Sequence, residues 1–222
     1  MTLRSRFFAA TYDRQMAKVE KAGLRGHRES VLSKATGRVL EIGAGTGGNL
    51  PFYGPGVESL TMTEPEIPML RRLERKVRDR AAEVTVLRAP AEDLPFDDDS
   101  FDAAVSTLVL CGVDDQPRAL RELRRVLRPG GRFLFMEHVR STDPKLARKQ
   151  DRMNGISRFI VGCECNRPTL NTITAGGFDV TKIEHITVEK VPTFVSPFIV
   201  GSATPISGAG SRQSPPAGQD QL

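Results

Sequence analysis

The chain has 222 residues, of which 39% are hydrophobic and 27% are charged. These values are typical of one globular domain with short extensions, and no apolar run reaches the roughly 18 residues of a transmembrane helix. We therefore expect no integral membrane segment, and Phe7–Ala10 is too short an apolar stretch for a secretory signal peptide. The formal net charge is +5, yet residues 1–38 alone hold nine Lys/Arg against three Asp/Glu. This local excess predicts a solvated basic helical face, with an anionic membrane surface or an acidic substrate as open alternatives.

Strands and helices alternate along the chain, which predicts an α/β fold with parallel strands at the centre of its sheet. The first half contains a helix at Arg14–Ser33, strands at Arg38–Ile42 and Val57–Thr63, a helix at Pro68–Arg80 and a strand at Glu83–Leu87. The second half contains strands at Phe101–Ser106 and Arg132–Glu137, helices at Pro117–Leu127 and Pro168–Ala175, and strands at Val180–Ile186 and Phe198–Ala203.

Three regions follow from this pattern. Residues 1–36 form an N-terminal helical segment, and residues 37–204 form the α/β domain. Residues 205–222 are rich in Ser, Gly, Pro and Gln and contain few apolar residues, so they are expected to form a disordered tail.

The three cysteines, Cys111, Cys163 and Cys165, do not suggest a disulfide framework. No CxxC motif accompanies them, and we expect no Cys/His cluster and no metal site. Reduced thiols in a cytoplasmic protein are the favoured interpretation. Cys111 is expected to be a small buried apolar residue.

The strongest local motif is the glycine-rich turn Gly43–Gly48, which follows an apolar strand. Gly43, Gly45 and Gly48 satisfy the pattern GxGxxG, in which glycines let the backbone approach a bound nucleotide closely. Glu41 lies two residues before the first glycine. Its carboxylate would repel a pyrophosphate but attract the cationic amino-acid moiety of S-adenosylmethionine, which favours the latter ligand. A carboxylate held by a local amide or Arg is the alternative.

A second acidic residue and a polar loop complete the predicted nucleoside site. Glu64 ends the second strand, 21 residues after Gly43, where a carboxylate can accept hydrogen bonds from ribose hydroxyls. The loop Ala91–Phe96 follows the third strand, where an adenine edge would lie. Leu94 and Phe96 are expected in the core, and the Asp97–Asp99 run in a solvated turn.

These segments jointly resemble the class I S-adenosylmethionine-dependent methyltransferases of the small-molecule type, which include quinone-biosynthesis C-methyltransferases. The resemblance implies a Rossmann-like, seven-stranded, mostly parallel sheet of order 3-2-1-4-5-7-6 flanked by helices. It also implies S-adenosyl-L-methionine as cofactor and a small thiol, phenol or quinol-like acceptor. Glycines at positive φ are expected in the turn before the fifth strand. The matching segments are Glu41–Gly47, Glu64, Ala91–Phe96, Ser100–Asp102 and Leu127–Gly131.

A narrower resemblance links the chain to the animal thiol S-methyltransferase group, which carries a membrane anchor upstream. It is carried by Phe8–Met16, Thr107–Cys111, Phe135–Val139 and Gly162–Asn166. Peripheral membrane contact and a monomer or homodimer are compatible with it. Residues 140–168 are expected to form one wall of the acceptor pocket. They could act as a lid, as a membrane-touching face or as a dimer contact.

The places of individual residues in the predicted fold suggest their roles. His138, just past the fifth strand at the carboxyl edge of the sheet, is the candidate general base, with a hydrogen-bonded structural role as the alternative. Tyr12 is expected to close over the methyl donor, with packing of the N-terminal helix as the alternative. Asp114 and Asp115 are better suited to capping the helix that starts near Pro117. The predicted cofactor contacts are Tyr12, Glu41, Gly43, Ala44, Gly45, Gly47, Asn49, Glu64, Pro65, Met69, Ala91, Glu92, Thr107 and Leu108.

One residue departs from the pattern of the family that the chain resembles, and three functions other than small-molecule methylation stay open. Relatives often carry Asp where this chain has Pro90, so adenine recognition falls to Glu92 or to the Ala91 backbone. A nucleic-acid methyltransferase is disfavoured because Ser106–Val109 replaces the Asn/Asp-Pro-Pro-aromatic motif, and no nucleic-acid partner is expected. The second rival is a nicotinamide-dependent oxidoreductase, and the third is a non-catalytic cofactor-binding protein.

Overall fold

The structure is a computed structural model that describes residues 12–14, 16–78, 84–189 and 191–206. Its seven strands form one sheet of order β3-β2-β1-β4-β5-β7-β6, which confirms the predicted fold. The pairs among β1 to β5 are parallel, whereas β7 is antiparallel to both β5 and β6. The strands are β1 (Gly37–Ile42), β2 (Val57–Thr63), β3 (Val84–Leu87), β4 (Phe101–Thr107), β5 (Leu127–His138), β6 (Phe178–Thr187) and β7 (Pro197–Pro205).

The central strands β1, β4 and β5 are covered on both faces, which explains their nearly continuous apolar sequences. Their register places Glu41 opposite Val105 and Thr107 opposite Met136. The carboxyl ends of these parallel strands therefore lie at one edge of the sheet. Ligands of open α/β sheets bind beyond this edge.

Besides the helical residues 12–14 and 16–19, five α-helices of the described residues flank the sheet: α1 (Arg25–Leu32), α2 (Ile67–Arg78), α3 (Gln116–Val126), α4 (Pro144–Val161) and α5 (Thr169–Ala175). The Asp115 side chain accepts a hydrogen bond from the backbone N–H of Arg118, so Asp115 caps α3 as expected. Leu94 is buried and Phe96 packs against the core, also as expected.

The expected continuous helix Arg14–Ser33 is interrupted. Residues 12–14 and 16–19 are helical, and a π-helical turn at Glu20–Leu24 then leads into α1. Within that turn Gly23 has a φ of 123°, which is not helical and which a residue with a side chain rarely adopts. The kink sets a new direction for the residues that precede it.

The long helix α4 is not predicted by the sequence pattern. Its ends carry clear signals: Asp143 caps the first turn, Pro144 follows it, and Gly162 ends the helix with a φ of 73°. Its apolar periodicity is weak, because Ile156 and Phe159 are exposed while Gln150 and Ser157 are buried. Within the described ranges, no helix combines the length and the apolar character needed to cross a membrane.

The bounds of β5 and β7 differ from expectation. β5 begins at Leu127 and not at Arg132, because Leu127 pairs with Phe101 before the turn and pairing resumes at Ala103 and Arg132. Gly130 in this turn has a φ of 75°, as the resemblance implies. At the other end, β7 continues through Pro205. The rest of the predicted tail, residues 207–222, lies outside the described residues.

Candidate active site

The glycine turn leaves β1 with three glycines in the left-handed region: Gly43 at φ 55°, Gly45 at φ 57° and Gly47 at φ 78°. A Cβ on Gly43 would lie 2.6 Å from Cγ1 of Val109, closer than real Cβ contacts allow. Backbone conformation and space therefore both require glycine at this position.

Glu41 lies in β1 just below this turn and is 2% exposed. Its Oε1 accepts a hydrogen bond of 2.9 Å from the Asn49 side chain, and its Oε2 accepts one of 2.7 Å from the Tyr53 hydroxyl. Burial raises the pKa of Glu41 to about 7, although these hydrogen bonds and the nearby Arg28 charge oppose the rise. A local amide does hold the carboxylate, as the alternative interpretation expected, and Glu41 also lines a cavity.

Arg28 is a buried site residue that the sequence motifs do not indicate. Its Nη1 donates to Oδ1 of Asn49 and, at 3.2 Å, to Oγ1 of Thr107. Its Nε and Nη2 donate to Oε1 of Glu20 at 2.9 and 2.7 Å. Helical spacing could have indicated Arg28 from the sequence, because position 28 lies between the buried Leu24 and Leu32 on one face of the helix.

A cavity of about 430 Å³ opens between the N-terminal helical residues and the glycine turn. Its volume is within the range of small-molecule sites. Arg28 and Glu41 place opposite charges in its wall. The predicted cofactor contacts that line it are Tyr12, Glu41, Gly43, Ala44, Asn49 and Thr107.

The start of the described chain closes this cavity. The Thr46 hydroxyl donates a hydrogen bond to Asp13, which also lies 3.6 Å from Arg72 and 3.7 Å from Lys76. Burial raises the pKa of Tyr12 to about 12, so its hydroxyl stays protonated near neutral pH. Tyr12 therefore lines the cavity as a neutral phenol and not as a phenolate base, while its closure over the methyl donor stays a prediction.

The remaining predicted contacts lie outside the cavity lining. Glu64 accepts hydrogen bonds from the backbone N–H groups of Gly45, at 2.8 Å, and Glu66, at 2.9 Å. Burial raises its pKa. Gly47 packs closely against Leu50, because a Cβ on Gly47 would lie 2.7 Å from Cδ1 of Leu50. Pro65 is exposed and Met69 is buried at the start of α2.

The predicted adenine side is formed by the loops after β3 and β4. Ala91 is buried in the core, and Glu92 accepts hydrogen bonds from the backbone N–H groups of Asp114, at 2.8 Å, and Asp115, at 3.2 Å. Glu92 thus holds the start of α3. Leu108 has a φ of 62°, and its N–H donates to the Met136 carbonyl. The structure therefore brings six of the predicted contacts to one cavity, while their contacts with the cofactor, including those with the adenine, stay a prediction.

Glu137 is a further buried carboxylate, which the predicted site residues do not include. It is fully buried at the end of β5, and its Oε1 accepts hydrogen bonds from the Ser106 hydroxyl, at 2.6 Å, and the Val109 N–H, at 3.1 Å. Burial raises its pKa. It fixes the loop after β4, which frames the glycine turn. An acidic residue inside an apolar strand, the same signal as Glu41, could have indicated it.

His138 follows Glu137 and contacts two cysteines. Its Nδ1 lies 3.6 Å from Sγ of Cys111 and 3.2 Å from Sγ of Cys163. The expectation that no Cys/His cluster accompanies the cysteines is therefore wrong. The reason is tertiary, because the Glu164 N–H donates to the Cys111 carbonyl and brings the loop after α4 against the loop after β4. His138 is not among the residues that line the cavity, and its role as a base stays a prediction.

The sheet order, the glycine turn and the charged cavity define a nucleoside-cofactor-binding α/β protein. Residues 40–135 match the family described as methyltransferase domain. Human thiol S-methyltransferase TMT1A is 32% identical over 201 residues, which cover 88% of this chain and 82% of that protein. The UbiE C-methyltransferase of ubiquinone and menaquinone biosynthesis from Geobacter sp. (strain M21) is 34% identical over 131 residues, covering 57% of this chain and 52% of that protein.

Solved structures show the same fold. The YcgJ protein of Bacillus subtilis superposes with a TM-score of 0.66 at 20% identity, covering 84% of this chain and 98% of that one. The chain belongs to the class I S-adenosylmethionine-dependent methyltransferases that act on small molecules. Over most of its length it is similar in particular to the thiol S-methyltransferases.

Proposed function

We propose that this methyltransferase transfers its methyl group to the sulfur of a small thiol. The support is the 32% identity with human thiol S-methyltransferase TMT1A, which extends over 88% of the chain and beyond the cofactor motifs. We also propose that Glu41 and Arg28 recognise the amino-acid part of S-adenosylmethionine. That proposal depends on one observation, namely that both buried charges line the same cavity beside the glycine turn.

The charges in this cavity suit an amino acid. The Glu41 carboxylate attracts an α-ammonium group, and the Arg28 guanidinium attracts an α-carboxylate. A dinucleotide would instead bring a pyrophosphate close to Glu41, which would repel it. Gly43 lines the same cavity beside these two side chains. Glu64 is proposed to bind the ribose, and Met69, Ala91 and Leu108 to surround the adenine.

When bound, S-adenosylmethionine supplies a methyl group on a positively charged sulfur. Glu41, Arg28 and Glu64 would hold this donor, which would supply the methyl carbon to the acceptor thiolate and keep the electron pair of the broken carbon–sulfur bond. The thiol proton passes to solvent, because thiols have a pKa of about 8.5 and ionise appreciably near neutral pH. The task of the chain is to align the reactants and exclude water, and Tyr12 covers the cavity for this purpose.

The cofactor proposal is tested by titrating the protein with S-adenosylhomocysteine and with NADH. We expect tight binding of the first alone, and tight binding of NADH alone would overturn the proposed recognition. Glu41→Gln should weaken S-adenosylhomocysteine binding. Glu58→Gln, which changes an exposed carboxylate on β2, should not.

The acceptor proposal is tested with isotopically labelled methyl donor and a panel of alkyl thiols, phenols, quinols, phospholipids and nucleic acids. We expect label in thioether products. Labelling of a quinol or a phospholipid without labelling of any thiol would overturn the thiol proposal, while the donor site would stand. A base at His138 would matter more for phenols, whose pKa of about 10 leaves them protonated at neutral pH.

Location and assembly form a further part of the proposal. Free, buried thiols at Cys111, Cys163 and Cys165 fit a reducing, cytoplasmic compartment. Ile156 and Phe159 on α4 are 49% and 68% exposed, which supports peripheral membrane contact or a homodimer contact on that helix. Vesicle flotation and light scattering distinguish these two contacts from a free monomer.

A further inference from the structure

Three side chains that commonly bind metal ions meet outside the cavity lining. Cys111 follows β4, His138 ends β5, and Cys163 follows α4, and their potential ligand atoms all lie within 4.8 Å of one another. We propose that these three residues form a binding site for a borderline-soft divalent cation, with Zn²⁺ as the expected ion. The inference does not depend on which acceptor the enzyme methylates.

The two nitrogen–sulfur distances are close to those of a tetrahedral zinc site. Zn–S bonds of about 2.3 Å and a Zn–N bond of about 2.0 Å at tetrahedral angles separate sulfur from nitrogen by roughly 3.6 Å. The Nδ1 atom of His138 lies 3.6 Å from Sγ of Cys111 and 3.2 Å from Sγ of Cys163. Both distances are within a few tenths of an ångström of that separation, and the two Sγ atoms lie within 4.8 Å of each other, so the three atoms can converge on one cation.

The donor set selects the type of ion. Two thiolates and one imidazole are soft to borderline ligands, which favour Zn²⁺ over the oxygen-preferring Mg²⁺ and Ca²⁺. Two thiolates also neutralise the charge of a divalent ion, so a buried ion would leave no net charge there. Among the described residues the group contains three ligands, and an exogenous ligand such as water would take the fourth position.

Cys165 does not belong to the group, although it lies close in sequence. Its Sγ faces the carbonyl of Gln150 at 3.9 Å and Oδ1 of Asn154 at 4.0 Å. Cys165 is as deeply buried as Cys111, since each is 1% exposed. The chain thus offers a matched control: a buried cysteine from the same loop as Cys163 that lacks the histidine contact.

The backbone at all three proposed ligands is held in place. The Cys111 carbonyl accepts from the Glu164 N–H at 2.8 Å, and the Cys163 carbonyl accepts from the Ser157 hydroxyl at 2.8 Å. The His138 carbonyl accepts from the Thr169 hydroxyl at 3.2 Å. The His138 ring also packs on Phe198 with centroids 4.2 Å apart. Such support fixes ligand geometry before an ion arrives.

The first measurement is the metal content of the full chain, purified under reducing conditions, loaded with Zn²⁺ and freed of excess ion. We expect about one tightly bound Zn²⁺ per chain, as in three-ligand protein sites. Loading with Co²⁺ should give visible bands typical of tetrahedral coordination and near-ultraviolet thiolate-to-cobalt charge-transfer bands. Zn²⁺ should also raise the Tm of the wild-type chain, a readout that needs no variant.

Variants locate the ion. Cys111→Ser and Cys163→Ser should lose the charge-transfer bands and most of the bound metal, whereas Cys165→Ser should keep both. Circular dichroism and S-adenosylhomocysteine binding show whether each variant is folded. Metal binding well below one ion per chain, equal binding by Cys163→Ser and wild type, or a Cys111–Cys163 disulfide that persists with reductant and Zn²⁺ would each overturn the proposal.

Discussion

The Tyr53 hydroxyl donates a 2.7 Å hydrogen bond to Oε2 of Glu41, while the Asn49 amide donates to Oε1. Both oxygens of this buried carboxylate therefore have a partner. These bonds and the charge of Arg28 favour the ionised form, yet burial outweighs them and raises the pKa of Glu41 to about 7 from its ordinary 4.5. Glu41 thus titrates in the neutral range, where its charge can be measured through stability and through binding.

Stability should depend on pH through Glu41. A carboxyl group with a higher pKa in the folded state binds its proton more tightly when folded. Its stabilising contribution is therefore complete below pH 4.5 and is lost as the pH rises through about 7. A shift of this size corresponds to about 3 kcal/mol. In urea unfolding without ligand, the unfolding free energy of Glu41→Gln should rise relative to wild type by about this amount between pH 4.5 and 8.

The exposed-carboxylate variant Glu58→Gln is the control for this measurement and should follow wild type at each pH. A constant difference between Glu41→Gln and wild type over this interval would contradict the raised pKa.

Cofactor binding should respond to pH in the opposite direction. The ionised form of Glu41 is the one that attracts an ammonium group, and at pH 6 only about a tenth of a group with a pKa near 7 is ionised. The Kd of S-adenosylhomocysteine, measured by calorimetry, should therefore increase about tenfold from pH 8 to pH 6. Glu41→Gln should bind more weakly and with little pH dependence. A wild-type Kd that stays constant would remove Glu41 from cofactor recognition.

Arg28 should not be replaceable by Lys. Its guanidinium donates to Glu20, Asn49 and Thr107 at once, which a single ammonium group cannot reproduce. We expect Arg28→Lys to weaken S-adenosylhomocysteine binding about tenfold or more and to lower the unfolding free energy by about 2 kcal/mol. Arg38→Lys, in a half-exposed pair with Asp102, is the control. Unchanged affinity in a folded Arg28→Lys protein would argue against a carboxylate partner for Arg28.

Gly43→Ala should damage both fold and site. The new methyl group would meet Val109 at 2.6 Å, and the residue would have to keep a φ of 55°. Left-handed backbone costs an L-residue about 1–2 kcal/mol, and overpacking adds about 1–3 kcal/mol. We expect urea unfolding to show a loss within the sum of these costs, together with weaker S-adenosylhomocysteine binding.

Gly54→Ala is the control for this substitution, because its Cβ would meet nothing within 4 Å and its φ is not in the left-handed region. A Gly43→Ala protein as stable as Gly54→Ala would show that Val109 moves aside at little cost.

Local patterns were sufficient for most elements of the fold. The apolar runs of β1, β4 and β5 and the glycines of the turn can be recognised from neighbouring residues. The α4 helix was missed because its periodicity is weak: Ile156 and Phe159 face solvent while the polar Gln150 is buried. Its capping residues Asp143 and Gly162 indicate the helix more clearly than its apolar periodicity does.

The candidate site likewise has a part that local sequence predicts and a part that it does not. The residue pattern determined the alternation of strands and helices, the glycine turn and the carboxylate Glu41 before it, since strand burial and positive φ leave a local record in residue type. The sheet order came from the family resemblance that these segments carry. Only the tertiary structure decided that Arg28 reaches Asn49 and Thr107, 21 and 79 residues away, and that His138 meets Cys111 and Cys163, 27 and 25 residues away. Such contacts arise from the packing of segments that lie far apart in the sequence. The spacing of neighbouring residues gives no information about them.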